Sequence, residues 1–175
     1  MSNWNKVFKP IVVLCVICIV ITGALAVTNN ATAPIIAQQI IQAQEEARKQ
    51  LLPDADAFTK IENIQVENVG DIYVADNGVG TVITCYGKGY GGTVTVMVAF
   101  NPDDTINQIK ITDQAETAGL GTKIVTEESF LSSFVARPAE SFTITDINAI
   151  SGATISSRAV TTAVNAAIDA YNQIV

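Results

Sequence analysis

The sequence predicts an α+β protein: a single N-terminal transmembrane helix, followed by a twisted antiparallel sheet packed by helices. Two observations lead to this prediction. Residues 11–28 are mostly apolar and carry no charge, which is the composition of a membrane-spanning helix. Farther along, short segments of alternating apolar and polar residues are separated by tight turns, which indicates neighbouring antiparallel strands.

The apolar run of residues 11–28 is long enough to cross a membrane, because its eighteen residues would rise roughly 27 Å as a helix. Lys6 and Lys9 precede the run, and no basic residue follows it before Arg48. By the positive-inside rule, this asymmetry predicts a cytoplasmic N-terminus and an extracytoplasmic C-terminal domain, periplasmic or extracellular.

The alternative for this segment is a cleaved signal peptide, because Ala-Thr-Ala at residues 31–33 resembles a cleavage site. The apolar run exceeds the usual signal-peptide core, which favours a retained single-pass anchor in the cell membrane. We therefore assign residues 1–29 to a cytoplasmic stub and the transmembrane helix.

Residues 30–53 predict an amphipathic helix that links the anchor to the domain. Pro34 suits the first position of a helix, and Pro53 ends the segment. Charged residues occupy other faces than the apolar ones. The apolar residues are Ile35, Ile36, Ile40, Ile41, Ala47 and Leu51.

The extracytoplasmic domain, residues 54–175, is predicted to contain an antiparallel meander. Asn77-Gly78 is a strong hairpin signal between two apolar segments. A turn at residues 101–104 separates two further alternating segments, the second of which is irregular. The predicted strands are 72–75, 79–86, 93–100, 105–112 and 142–147.

Two helical patterns complete the domain. Residues 127–134 predict a short helix, and residues 158–174 predict a longer one whose apolar positions recur at helical spacing. These positions are Val160, Val164, Ile168 (or Ala167), Tyr171 and Ile174.

The composition excludes several classes of function. Without Lys6 and Lys9, the chain has 8 basic and 17 acidic residues, and so acidic a domain is a poor partner for nucleic acid. No histidine is present, and only Cys85 lies in the domain, so neither a zinc site nor a disulfide framework is expected. Cys15 and Cys18 lie in the apolar run, where small apolar contacts are the expected role.

The segment 151–157, Ser-Gly-Ala-Thr-Ile-Ser-Ser, is placed to bind a phosphate group. Gly152 and Ala153 allow a tight turn beside a bulky group, and Thr154 follows at or just before a helix N-terminus. The unpaired N–H groups and dipole of a helix end stabilise phosphate. Ser156 and Ser157 are predicted to cap the helix. The plainer alternative is an ordinary loop-to-helix cap.

Two glycine-containing loops precede this segment. Residues 87–92, Gly-Lys-Gly-Tyr-Gly-Gly, join two strands and lack the ending of a phosphate-binding P-loop. Residues 116–123, Glu-Thr-Ala-Gly-Leu-Gly-Thr-Lys, form a long connection, and long connections are more often functional. A flexible hairpin loop and a plain connection are the alternatives. For residues 87–92, the functional interpretation is a close approach of backbone to a ligand or to the segment 151–157, with Tyr90 available to pack on it.

These three segments resemble the FMN-binding domain family, which includes the G subunit of the Rnf electron-transfer complex and the C subunit of the sodium-translocating NADH:quinone reductase. In the family's flavinylation motif the Thr carries FMN through a phosphoester, which implies covalent FMN on Thr154. Ala118 stands where the family usually has Pro, and Asn148 where it often has an acid. The resemblance covers the whole chain. The implied FMN-binding residues are Thr154, Ser151, Gly152, Ala153, Ile155, Ser156, Glu116, Thr117, Gly119, Leu120, Gly121, Lys123, Tyr90 and Gly91.

The resemblance, closest to the Rnf G subunit, implies an electron-carrier subunit of a complex that moves electrons between ferredoxin and NAD with sodium or proton translocation. The chain has no NAD-binding fingerprint or iron–sulfur cysteine motif, so it requires multi-span membrane and iron–sulfur subunits, and a flavin transferase for maturation. The alternatives are the quinone-reductase C subunit, a stand-alone extracytoplasmic flavoprotein and, from another class, an anchored scaffold domain without a redox role.

Overall fold

The computed structural model describes residues 8–62, 64 and 66–174, and the chain divides into two compact units, Met1–Ala43 and Gln44–Val175. We number the helices and strands in chain order. They are α1 Lys9–Leu51, β1 Phe58–Ile61, β2 Val69–Ala75, β3 Thr81–Lys88, β4 Thr93–Phe100, β5 Ile106–Asp113, α2 Lys123–Thr126, α3 Glu128–Ser132 and α4 Thr154–Tyr171, with a 3-10 turn at Ile144–Asp146.

Residues 9–43 of the first unit belong to α1, and within the described residues α1 alone is long and apolar enough to cross a membrane. An 18-residue window of this helix has a mean hydropathy of 3.0, and none of that window is buried. Length and composition fit an anchor and equally fit a signal sequence. Of the two lysines used to predict orientation, Lys9 begins α1, and Lys6 lies outside the described residues.

The predicted start of a separate linking helix at Pro34 is wrong, because Pro34 lies inside the continuous α1. A proline removes one backbone hydrogen bond, and the helix continues through it into a segment that contains many good helix formers, Ala, Gln and Glu. The apolar side chains of Ile35, Ile36 and Ile40 are exposed. The second compact unit includes the last turns of α1, from Gln44 onward.

The domain is built on a five-stranded antiparallel sheet in the order β1-β2-β3-β4-β5, so the predicted meander and α+β class are confirmed. The irregularity predicted in the last of these strands appears as register shifts between β4 and β5. The first strand, β1, is not among the predicted strands; it is a four-residue edge strand that pairs with β2. Such a short segment has too few positions to display an alternation.

The strand predicted at residues 142–147 is also wrong. This segment forms a loop with a 3-10 turn at Ile144–Asp146, held by a capping box in which Asp146 accepts hydrogen bonds from the backbone and hydroxyl of Thr143. Those bonds lower the pKa of the Asp146 carboxyl. The local side-chain bonds satisfy backbone groups that a strand would have paired with a neighbour.

Both faces of the sheet are covered. On one face, α4 packs across β2, β3 and β4, and its predicted apolar stripe is buried from Val160 to Tyr171. On the other face, the end of α1 contributes Ala47, Leu51 and the following Leu52 to a second cluster. The sheet residues of that cluster are Val82, Met97 and Ala99.

Candidate functional site

The last helix begins earlier than predicted. α4 starts at Thr154 rather than Arg158, with Ala153 as its N-cap residue and Gly152 in a left-handed turn at φ +81°. The predicted capping role of Ser156 and Ser157 is therefore wrong. Both serines lie inside the first turn, 3% and 0% exposed, where their hydroxyls make tertiary contacts instead.

Ser157 ties the Ser-Gly-Ala-Thr turn to the helix. Its hydroxyl oxygen accepts a 3.1 Å hydrogen bond from the buried N–H of Ile150. The Ala153 N–H donates to the Ile150 carbonyl at 3.0 Å, and the Ser157 N–H donates to the Ala153 carbonyl at 2.9 Å. These three bonds hold the backbone on both sides of Gly152, so Thr154 is presented by a fixed turn.

The N-terminus of α4 keeps free donors. No side chain caps the helix, and its first hydrogen bond is the one donated by Ser157. Within the described part of the chain, the N–H groups of Thr154, Ile155 and Ser156 have no acceptor. Because Thr154 is exposed at the first helical position, its hydroxyl lies where the helix end favours an anion.

Glu116 joins the two glycine loops to α4. The residue is 8% exposed. Its Oε1 accepts a 3.0 Å hydrogen bond from the Gly91 N–H, and its Oε2 accepts one from the Ser156 hydroxyl. The Glu116 N–H donates to the side-chain oxygen of Gln114 at 2.6 Å. One buried carboxylate thus connects the β3–β4 loop, the 116–123 loop and the first turn of α4.

The glycines of these loops allow this close approach. A Cβ at Gly89 would overlap the Glu116 carboxylate, and one at Gly91 would overlap the carbonyl of Ala115. A Cβ at Gly121 would lie 2.7 Å from the Glu116 Cβ. None of the three has a positive φ, so each glycine is required by space. Gly89 is not in the predicted set, although it lies in the predicted glycine loop 87–92.

These elements enclose a cavity of about 540 Å³. Every residue that lines it belongs to the predicted set. The lining residues are Tyr90, Glu116, Thr117, Leu120, Gly121, Gly152, Ala153, Thr154, Ile155 and Ser156.

Four residues of the predicted set do not line the cavity. Gly91 acts through its bond to Glu116, and Gly119 forms a turn at φ +75° whose N–H donates to Thr122 Oγ1 at 3.0 Å. Lys123 begins α2 with an exposed side chain, and Ser151 is exposed in the turn before α4.

Three large side chains at the cavity are exposed to an unusual degree. Tyr90 is 74% exposed, Ile155 53% and Leu120 44%. An aromatic ring and two aliphatic side chains around a concave site are typical of the surface that receives a flat, partly apolar ligand. Together with the free N–H groups of α4, they suit a molecule that has a ring system at one end and a phosphate at the other.

Metal and thiol chemistry find no support at this cavity. Among the described residues, no group of three or more His, Cys, Asp or Glu side chains is placed to hold a metal ion. Cys85 lies in β3 and is fully buried. Burial raises the pKa of its thiol, which makes the thiolate inaccessible.

Ser157→Ala is expected to destabilise the domain by about 1–3 kcal/mol, because the buried Ile150 N–H loses its acceptor. The measurement is calorimetric unfolding of the full chain in detergent. Thr162→Ala, at an exposed position of the same helix, serves as the control and should change stability by less than about 0.5 kcal/mol. Equal effects of the two substitutions would show that the Ser157 bond does not hold the turn.

Comparison with known proteins places this site in context. The FMN-binding domain family matches residues 89–169, and the family of RnfG N-terminal regions matches residues 1–51. The G subunit of the proton-translocating ferredoxin:NAD(+) oxidoreductase complex of Clostridium ljungdahlii is 31% identical, over 96% of this chain and 93% of the relative.

Two further relatives match this chain with similar identity and coverage. The G subunit of the Na(+)-translocating ferredoxin:NAD(+) oxidoreductase complex of Acetobacterium woodii is 33% identical, over 98% of this chain and 95% of the relative. The G subunit of the ion-translocating oxidoreductase complex of Methanosarcina acetivorans is 32% identical, over 97% and 96%.

Proposed function

This chain belongs to the family of Rnf complex G subunits and contains the FMN-binding domain, and from that premise we propose that it is an electron-carrier subunit of an Rnf-type complex. The complex transfers electrons between ferredoxin and NAD, coupled to translocation of sodium ions or protons. The observation that carries the proposal is the cavity at the N-terminus of α4, which lies within the part matched by the FMN-binding domain family.

The cavity residues fit FMN in two ways. The N–H groups of Thr154, Ile155 and Ser156 are suited to the phosphate. The exposed side chains of Tyr90 and Leu120 are suited to the ring system, since covering them removes apolar surface from water. When bound, FMN supplies the redox chemistry, and the protein supplies position and electrostatics.

We further propose that FMN is attached covalently through a phosphoester to Thr154. This hydroxyl is exposed at the cavity, whereas those of Ser156 and Ser157 are buried and hydrogen-bonded. A covalent link keeps the carrier loaded at low free FMN, because a reversibly bound flavin would be lost by mass action. Attachment requires a flavin transferase.

The topology we propose is a single-pass anchor, residues 1–29, with a cytoplasmic N-terminus, a linking segment 30–53 and an extracytoplasmic domain 54–175. The N-terminal helix fits the anchor, and the match of residues 1–51 to the RnfG N-terminal region agrees with it. Multi-span membrane subunits and iron–sulfur subunits are the expected partners. Co-purification with them would separate this function from a stand-alone flavoprotein.

Expression of the full chain with a flavin transferase tests the covalent flavin. We expect an intact mass increased by one FMN less one water, and a yellow colour that survives denaturation. Expression without the transferase is the control and should give the unmodified mass. An unmodified, colourless protein in the presence of an active transferase would instead favour an anchored scaffold domain.

A further inference from the structure

Glu116 is a buried charge without an ion-pair partner. Both oxygens of its carboxylate accept hydrogen bonds, from Gly91 and from Ser156, which is the pattern of the ionised form. No lysine or arginine in the described part of the chain forms a salt bridge with it. Burying a carboxylate without a counter-charge is costly. A neutral hydrogen-bonding side chain could link the loops without that cost, so the charge itself calls for an explanation.

The surroundings of Glu116 are shaped to keep this carboxylate in place. Gly89 and Gly121 leave room for it where a Cβ would collide with the Glu116 side chain, and Gly91, whose N–H donates to it, passes close to the Ala115 carbonyl. Its two donors are one backbone N–H and one hydroxyl, so the N–H groups at the end of α4 remain free. The residue lines the cavity proposed for FMN, so a fixed negative charge is held at the wall of a redox site.

We propose that the negative charge of Glu116 lowers the reduction potential of the flavin, an inference that rests on the proposed function. Each electron that enters the flavin adds one negative charge unless a proton enters with it. The fixed carboxylate disfavours that added charge in a partly buried site, where Coulomb interactions are stronger than in water. A stronger reductant is then needed for the same degree of reduction, which suits a carrier supplied from a ferredoxin-type donor.

Glu116→Gln separates charge from shape. The glutamine amide oxygen can accept the Gly91 hydrogen bond, and its amide group can donate to the Ser156 hydroxyl, so the link between the loops is retained. Glu140→Gln, at an exposed site outside the cavity, removes the same charge from the same domain and is the matched control.

The measurement is spectroelectrochemical titration of the full, flavin-loaded chain in detergent. At a fixed applied potential, Glu116→Gln is expected to raise the ratio of reduced to oxidised flavin at least tenfold, which is about 30 mV for a two-electron couple. Glu140→Gln should leave the ratio unchanged. Loaded Glu116→Gln protein with the wild-type potential would overturn the inference and leave the proposed function intact. Wild-type protein without covalent flavin would instead contradict the proposed function.

Ser156→Ala provides a second measurement in case Glu116→Gln does not load. This substitution retains the Glu116 charge and removes a donor that partly offsets it, so the potential should fall. A purely structural role predicts that both substitutions move the potential in the same direction. A rise in the potential of Ser156→Ala protein would therefore overturn the inference as well.

Discussion

Thr154→Val is expected to abolish covalent flavin completely while the domain stays folded. The substitution keeps the β-branched shape and removes only the oxygen that the phosphoester requires. Thr154 is exposed, and its hydroxyl makes no hydrogen bond within the described residues, so stability should change by less than about 0.5 kcal/mol. Intact mass after co-expression with the flavin transferase measures the loss, and calorimetry checks the fold.

Two substitutions control this experiment. Thr154→Ser restores a hydroxyl at the same backbone position and should recover the flavin. Ser151→Ala removes the other exposed hydroxyl of the turn and should leave the flavin in place. Flavin on Thr154→Val protein together with its loss from Ser151→Ala would move the attachment site to Ser151, and the cavity would still be the proposed FMN site.

Gly87→Ala is expected to destabilise the domain by about 3 kcal/mol or more, the upper end of overpacking costs. Gly87 lies in β3, where it pairs with Val94 of β4, and the backbone of α4 crosses directly over it. An added Cβ would overlap the Ala159 carbonyl oxygen and lie 2.6 Å from the carbonyl carbon. Neither partner can yield, because the strand is paired along its length and the helix packs across the sheet.

Gly70→Ala is the matched comparison for Gly87→Ala, because it also lies in a strand of the same sheet. Its added Cβ would lie 2.6 Å from the Tyr86 hydroxyl oxygen, the far end of a partly exposed side chain that can swing away. By calorimetry, Gly87→Ala should lower the melting temperature by roughly 10 °C, and Gly70→Ala by much less. Equal shifts would mean that α4 does not press on β3 as closely as described.

Much of the fold could be predicted from local patterns. The predicted bounds of β4 match the observed ones, and the apolar stripe of α4 is confirmed. In each segment, apolar residues recur at strand or helix spacing over eight residues or more. Predictions failed where local signals compete or are short. Pro34 carries a start signal, yet α1 runs through it from Lys9 to Leu51, and residues 142–147 replace strand pairing with local side-chain bonds.

The predicted helix start failed for a different reason. Ser156 and Ser157 have the residue type of N-caps, and only the left-handed turn at Gly152 shows that the helix begins before them. Their hydroxyls are then directed inward, to Glu116 and to the Ile150 N–H. A cap and an interior serine look alike in a sequence, since the difference lies in which partner the fold brings near.

The sequence by itself determined the anchor-like apolar helix, the antiparallel meander and the three segments that meet at the cavity, because hydrophobic period, turn residues and short motifs are local properties. The tertiary structure alone decided that Glu116 is buried among Gly89, Gly91 and Gly121, and that it links Gly91 to Ser156. Those partners lie 25 residues before it and 40 residues after it in the chain. Contacts over such separations arise only when the sheet and α4 pack together, so no local pattern encodes them.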